Sequence, residues 1–130
     1  MDREMLLEIR VKCEEALKVT GHTRDIVMIP FSGEAEGPLF RGTIAPFAVD
    51  TQKVPKGGKP FLSARYLLCG KDRDGNGCRV FIENQGVFGE EFTPLVVTDS
   101  PLLADRETAP LSATVEGAPG GVTVRLFRGA

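Results

Sequence analysis

The chain has 130 residues, with 16 Lys plus Arg against 18 Asp plus Glu for a net charge of −2, a size that fits one domain able to bury roughly two-thirds of its unfolded surface. The near balance of charge gives no basic footprint for nucleic acid, and apolar runs such as Ile26 to Ile29 are too short to span a bilayer. Charges scattered through MDREMLLEIRVKCEE leave no apolar centre for a signal peptide, so the expectation is a cytoplasmic protein with neither nucleic acid nor membrane as partner.

In chain order, LEIRVKC alternates Leu7, Ile9, Val11 and Cys13 with Glu8, Arg10 and Lys12, the period of a strand with one wet face, although Glu14 to Leu17 is also helix-friendly. After TGHTRD come IVMIPFSGEAEG and LFRGTIAPFAVDTQKV, each long enough for a strand bent at a Gly or Pro. KGGKP reads as a loop, and FLSARYLLCGK and CRVFIENQG as two strands rich in aliphatic and aromatic residues. FTPLVVTDS is a further strand, and SPLLADRE carries a Ser N-cap and a Pro at the first helical position, which predicts a turn or two of helix. LSATVEG and VTVRLFR form a closing hairpin around APGG. With Gly and Pro spread throughout and no linker, residues 1–130 read as one all-β domain: a single antiparallel β-barrel of about eight strands with at most one short helix.

One stretch tests this reading. DRDGNGCRVFIE, residues 72 to 83, matches the calcium-loop pattern at every fixed position, with Asp72, Asp74, Asn76, Gly77 and Glu83 in the ligand and turn places. Its flanks have strand composition, Gly70 interrupts any incoming helix, and Val80 occupies a position that normally helps to hold a water. On a strand Glu83 extends away from the turn, whereas the Asp-Gly and Asn-Gly pairs supply the positive φ that a hairpin needs. The stretch therefore reads as a hairpin, with no metal expected. Cys13, Cys69 and Cys78 are an odd number with no close pair, against a disulfide framework, and a zinc set of Cys69, Cys78 and His22 lacks a fourth ligand. His22 sits in a turn-like segment, and no phosphate-cradling glycine pattern is present.

Polar residues inside strands are the informative ones, because a core-facing position should not hold them without a reason. These are Asp50 and Gln52, Arg65 and Tyr66, and Glu83, Asn84 and Gln85, with Thr98 and Asp99 further along. Alternation sets Ser63, Arg65 and Leu67 against Ala64, Tyr66 and Leu68, and Arg79, Phe81, Glu83 and Gln85 against Cys78, Val80, Ile82 and Asn84. A functional reading gathers Asp50, Arg65 and Glu83 in the interior, Arg65 clamping an anion and a carboxylate acting as general acid or base. A structural reading makes Arg65 the ion-pair partner of Asp50 or Glu83.

The segments FSGEAEGPLFRGTIAPFAVDTQ, LSARYLL and GCRVFIENQG resemble a widespread, uncharacterised bacterial family of small β-barrels known only as a domain of unknown function. The matching positions are Gly33, Gly37, Gly42, Asp50, Gln52, Ala64, Arg65, Tyr66, Asn84 and Gly86, over roughly residues 20 to 90. Thr51 and Ser63 depart from the pattern, as does the C-terminal third, which marks a divergent member. The resemblance implies a calycin-like barrel with polar residues pointing into a pocket, and no established reaction. The leading expectation is a barrel binding a small anionic or carbonyl-bearing metabolite through Asp50, Gln52, Arg65, Tyr66, Glu83 and Asn84. The alternatives are a metal-independent acid/base enzyme of isomerase, lyase or hydratase type using Asp50, Glu83 or Tyr66, and an interaction module forming a homodimer through edge strands. None of these readings calls for a cofactor.

Overall fold

The alternating segments form strands, and the breaks between them fall at Gly, Pro and small polar residues. In the computed structural model, which describes residues 3–129, the strands are β1 (Glu4–Cys13), β2 (Leu17–Thr20), β3 (Arg24–Glu36), β4 (Phe40–Ile44), β5 (Val49–Pro55), β6 (Phe61–Asp72), β7 (Gly77–Val87), β8 (Thr93–Thr98), β9 (Leu111–Ala118) and β10 (Gly121–Arg128). A short 3₁₀ turn, Ala104–Glu107, falls in the SPLLADRE segment. No helix among the described residues is long and apolar enough to cross a membrane.

Ten strands exceed the eight expected, but they occupy eight places. All neighbours are antiparallel in the order β8-β7-β6-β4-β3-β1-β10-β9, with β2 paired to β3, and β5 paired to both β3 and β6. β1 and β2 share the place beside β3, broken at Glu14 to Ala16 where a helix competed with a strand in the sequence. β4 and β5 share the place between β3 and β6, broken at Ala45 to Ala48, the APFA of the sequence. The path returns on itself at Phe92, whose backbone exchanges hydrogen bonds of 3.0 and 2.9 Å with Ala113 at the start of β9.

The inner face is set by the β6–β7 register, which places Leu68 opposite Val80, Tyr66 opposite Ile82 and Ala64 opposite Asn84. At one end, Leu7, Phe40, Val80, Val96, Leu103 and Leu126 are buried together around a void of only about 20 Å³. Removing that much apolar surface from water is the main favourable contribution to the fold. The other end of the interior is hollow.

The DRDGNG stretch is the β6–β7 turn, with Lys71 paired to Gly77 and Gly75 at φ 86°. Asp72 is buried there; its Oδ1 accepts the backbone N–H groups of Asp74 and Asn76, both at 3.0 Å, and its Oδ2 accepts the Ser100 hydroxyl at 3.4 Å. The carboxylate that would open a calcium loop is therefore used inside the turn. Cys69 lies opposite Arg79 and Cys78 opposite Gly70, so consecutive register rows send the two thiols to opposite faces.

Candidate functional site

Three register rows build the hollow end. The middle row runs Ile29, Asp50, Ala64, Asn84 across β3, β5, β6 and β7. The row toward the mouth runs Val27, Gln52, Leu62, Gly86. The row toward the packed core has Tyr66 opposite Ile82, with Phe31 edge-on to the Tyr66 ring, centroids 5.2 Å apart and planes at 76°. Residues two apart on a strand share a face, so Asp50 with Gln52, and Ala64 with Tyr66, all turn inward.

These rows surround a cavity of about 710 Å³. Val11, Ile29, Phe31, Leu62, Ala64, Val122 and Val124 make its wall apolar, and Pro60, Phe88, Gly89, Glu90, Glu91 and Phe92 also line it. Gly86 matters to this shape: a Cβ there would meet the Phe92 ring at 2.5 Å, so a larger residue would expel Phe92 from the wall. The segment carrying Glu90 and Glu91 is tied down by an ion pair between Glu91 and Arg3, whose guanidinium also lies 4.3 Å above the Phe127 ring.

On β5, β6 and β7, four polar side chains interrupt the apolar wall: Asp50, Gln52, Tyr66 and Asn84. Gln52 Nε2 donates to Asp50 Oδ2 at 3.0 Å. Asp50 Oδ1, the Tyr66 hydroxyl and Asn84 Oδ1 are buried and find no hydrogen-bond partner among the protein's own groups. Burial lifts the Asp50 carboxyl above its ordinary pKa, partly offset by the Gln52 amide and the Ser63 backbone N–H. Burial likewise pushes the Tyr66 phenol well up, keeping it a neutral donor. Cys13, also in the wall, has its thiol raised first by burial and then by the nearby charges of Asp50 and Glu14.

The structure thus brings Asp50, Gln52, Tyr66 and Asn84 together and leaves two expected members outside. Arg65 and Glu83 face each other on the outer surface of β6 and β7, Nε to Oε2 3.2 Å apart, with the Arg65 side chain 66% exposed. The expected interior grouping of Asp50 with Arg65 and Glu83 is corrected accordingly. Asp50 pairs in register with Ala64, so Arg65, one residue on, must point the other way. Of the two structural alternatives, the partner of Arg65 is Glu83 and not Asp50. Sequence reading missed Cys13, Phe88 and Phe92 as wall residues; alternation placed Cys13 on the apolar face of β1, but nothing local shows that Phe92 folds back over Gly86.

The chain is an all-β antiparallel sheet with one end packed and the other an apolar cavity lined in part by polar side chains, the architecture of a small barrel-like protein. Residues 2–114 match the family described as protein of unknown function (DUF3237), and the chain belongs to it. A UPF0311 protein of Clostridium acetobutylicum is 39% identical over 61 residues, a stretch covering 46% of this chain and 36% of that relative. Among solved structures, a protein of unknown function from Clostridium acetobutylicum superimposes with TM-score 0.84 at 23% identity, covering 98% of this chain and 96% of its own. A beta-barrel like protein from Acinetobacter baumannii gives TM-score 0.80 at 19% identity over 98% and 94%. An enzyme from Penicillium herquei gives 0.79 at 15% over 98% and 92%. These likenesses establish the fold.

Proposed function

We propose that this protein is a closed, calycin-like barrel that binds a small uncharged molecule, largely apolar and carrying a carbonyl or hydroxyl group, in the hollow end. The observation that carries the reading is the set of three buried, unpartnered oxygens on Asp50, Tyr66 and Asn84, all residues of one apolar cavity. An unsatisfied buried polar group costs roughly 1–3 kcal/mol. A ligand carbonyl would accept from the Tyr66 hydroxyl, and a ligand hydroxyl would donate to Asp50 Oδ1 or Asn84 Oδ1, which are acceptors, so a bound molecule carrying such groups accounts for the set. The cavity volume falls within the usual range for small-molecule sites, about 300–1,000 Å³.

The lining favours a neutral ligand over the anion expected from Arg65. Asp50, Glu90 and Glu91 line the cavity and no Lys or Arg does so among the described residues. Glu91 is paired with Arg3, but an anion beside Asp50 would meet a carboxylate with no cation lining the same wall. The likeness to a protein described as an enzyme keeps catalysis in view without naming a reaction.

A thermal-shift screen of uncharged ketones, lactones and phenols against organic acids tests the reading. Neutral carbonyl compounds should raise the midpoint, by the equivalent of about 2.7 kcal/mol at a hundredfold excess over Kd, and acids should not. Ala64→Phe, which places a ring between Asp50 and Asn84, should abolish the shift. A response confined to acids, or one that survives Ala64→Phe, would move binding out of this cavity.

A further inference from the structure

The cavity holds a carboxyl group, a phenol and a carboxamide in one apolar wall. Resting on the reading that it takes a carbonyl compound, we infer that it is a proton-transfer site, in which Asp50 removes a proton from the carbon beside the ligand's carbonyl while Tyr66 and Asn84 hold the carbonyl oxygen.

The placement supports this division of labour. Asp50 and Asn84 occupy the same register row with only Ala64 between them, two strand spacings or about 10 Å apart across the sheet. The methyl group of Ala64 leaves room for a planar carbonyl unit to lie over it, its oxygen toward β7 and its neighbouring carbon toward β5. Tyr66 stands two residues along β6 on the same face, its ring held edge-on by Phe31 and its hydroxyl buried without a partner, free to donate to the carbonyl oxygen. Gln52 holds Asp50 Oδ2, and Oδ1 has no partner. The terminal torsion of Asp is broad and close to two-fold, so a small rotation turns either oxygen toward the ligand. A carboxylate is a weak base in water; burial of Asp50 makes it a stronger one.

The step balances without a co-reactant. The C–H bond breaks and its proton passes to the Asp50 carboxylate. The released pair forms a C=C bond as the carbonyl π pair moves onto oxygen, and the enolate oxygen accepts hydrogen bonds from the Tyr66 hydroxyl and from Asn84 Nδ2–H, the Asn84 amide turning end for end from the orientation that leaves its Oδ1 unpartnered. Asp50 then returns the proton to the same carbon, or to the far end of a conjugated system, which gives net isomerisation.

The probe is β-tetralone in D₂O, followed by proton NMR for loss of its benzylic α-proton signal and by saturation-transfer NMR for binding. The protein should accelerate exchange above buffer. Asp50→Asn should reduce that acceleration about 10²- to 10⁴-fold, the usual weight of general acid–base catalysis, with saturation transfer retained. Tyr66→Phe should slow exchange as well, whereas Glu83→Gln, on the outer face, should match the parent. Binding without exchange, or exchange undiminished in Asp50→Asn, overturns the proton-transfer inference and leaves ligand binding standing. No saturation transfer from β-tetralone or other neutral carbonyl compounds overturns both.

Discussion

Asp50 illustrates how one buried group links stability to pH. Its folded pKa lies above its unfolded value, because burial disfavours the charged form more than Gln52 and Ser63 restore it. The native state therefore binds more protons than the unfolded state between those two values, and stability falls as pH rises through that window. Asp50→Asn removes the effect, so the variant should melt at or above the parent temperature at pH 7, and the gap should close in acid below the ordinary carboxylate pKa. A melting series at several pH values checks this; a variant less stable at pH 7 would mean that the carboxylate has a compensating partner. Arg65 behaves in the opposite way. Its pair with Glu83 lies on the outer face with the Arg65 side exposed and Glu83 half-buried, so Arg65→Ala should cost about 1 kcal/mol or less and leave ligand shifts unchanged. Phe47 is strained without compensation, being 98% exposed at φ 75°. Left-handed geometry costs a non-glycine residue about 1–2 kcal/mol, and glycine loses part of that gain through a freer unfolded chain. Phe47→Gly should stabilise by up to about 1 kcal/mol in urea denaturation.

At the scale of elements, the β6–β7 hairpin shows what sequence reading reaches and where it stops. Its strands, its turn and the alternation of faces were all legible in FLSARYLLCGKDRDGNGCRVFIENQG, because period-two patterning and Asn-Gly chemistry are local signals. Which face turns inward was not. Leu67 and Phe81 make the outer face partly apolar, so Arg65 and Glu83 could be assigned to either side until the pairing of Asp50 with Ala64 fixed the matter. The two split places were half visible, since APFA marks a break but not that β4 and β5 continue along the same neighbours. Asp72 gives the hairpin its own prediction. Asp72→Ala strands the Asp74 and Asn76 N–H groups and the buried Ser100 hydroxyl, which should cost about 2–3 kcal/mol. Calcium should leave the melting temperature of the parent unchanged, while a calcium-dependent rise would restore the metal-loop reading.

For the whole molecule, the two ends of the sheet meet at one seam. Every other neighbouring pair shares a ladder of several residues, whereas the return from β8 to β9 is made by the Phe92–Ala113 bridge. The free edge beyond it is covered by the 3₁₀ turn, where Glu107 accepts the Thr98 N–H at 3.0 Å. Phe92 serves the seam and the cavity together, because its backbone makes the bridge while its buried ring fills the space that Gly86 leaves and forms part of the cavity wall. Truncating a buried Phe to Ala typically costs about 3–5 kcal/mol. Here the loss should also open the seam locally, because few other contacts hold it. Phe92→Ala should therefore lower global stability by about that amount and, in hydrogen exchange, deprotect amides of β8 and β9 well before those of β6 and β7. A neutral ligand seated in the cavity should slow exchange at the same amides in the parent protein, since it binds the closed form alone. Uniform deprotection across all strands in Phe92→Ala would show instead that the sheet opens as a single cooperative unit and that the bridge is no weaker than the ladders around it.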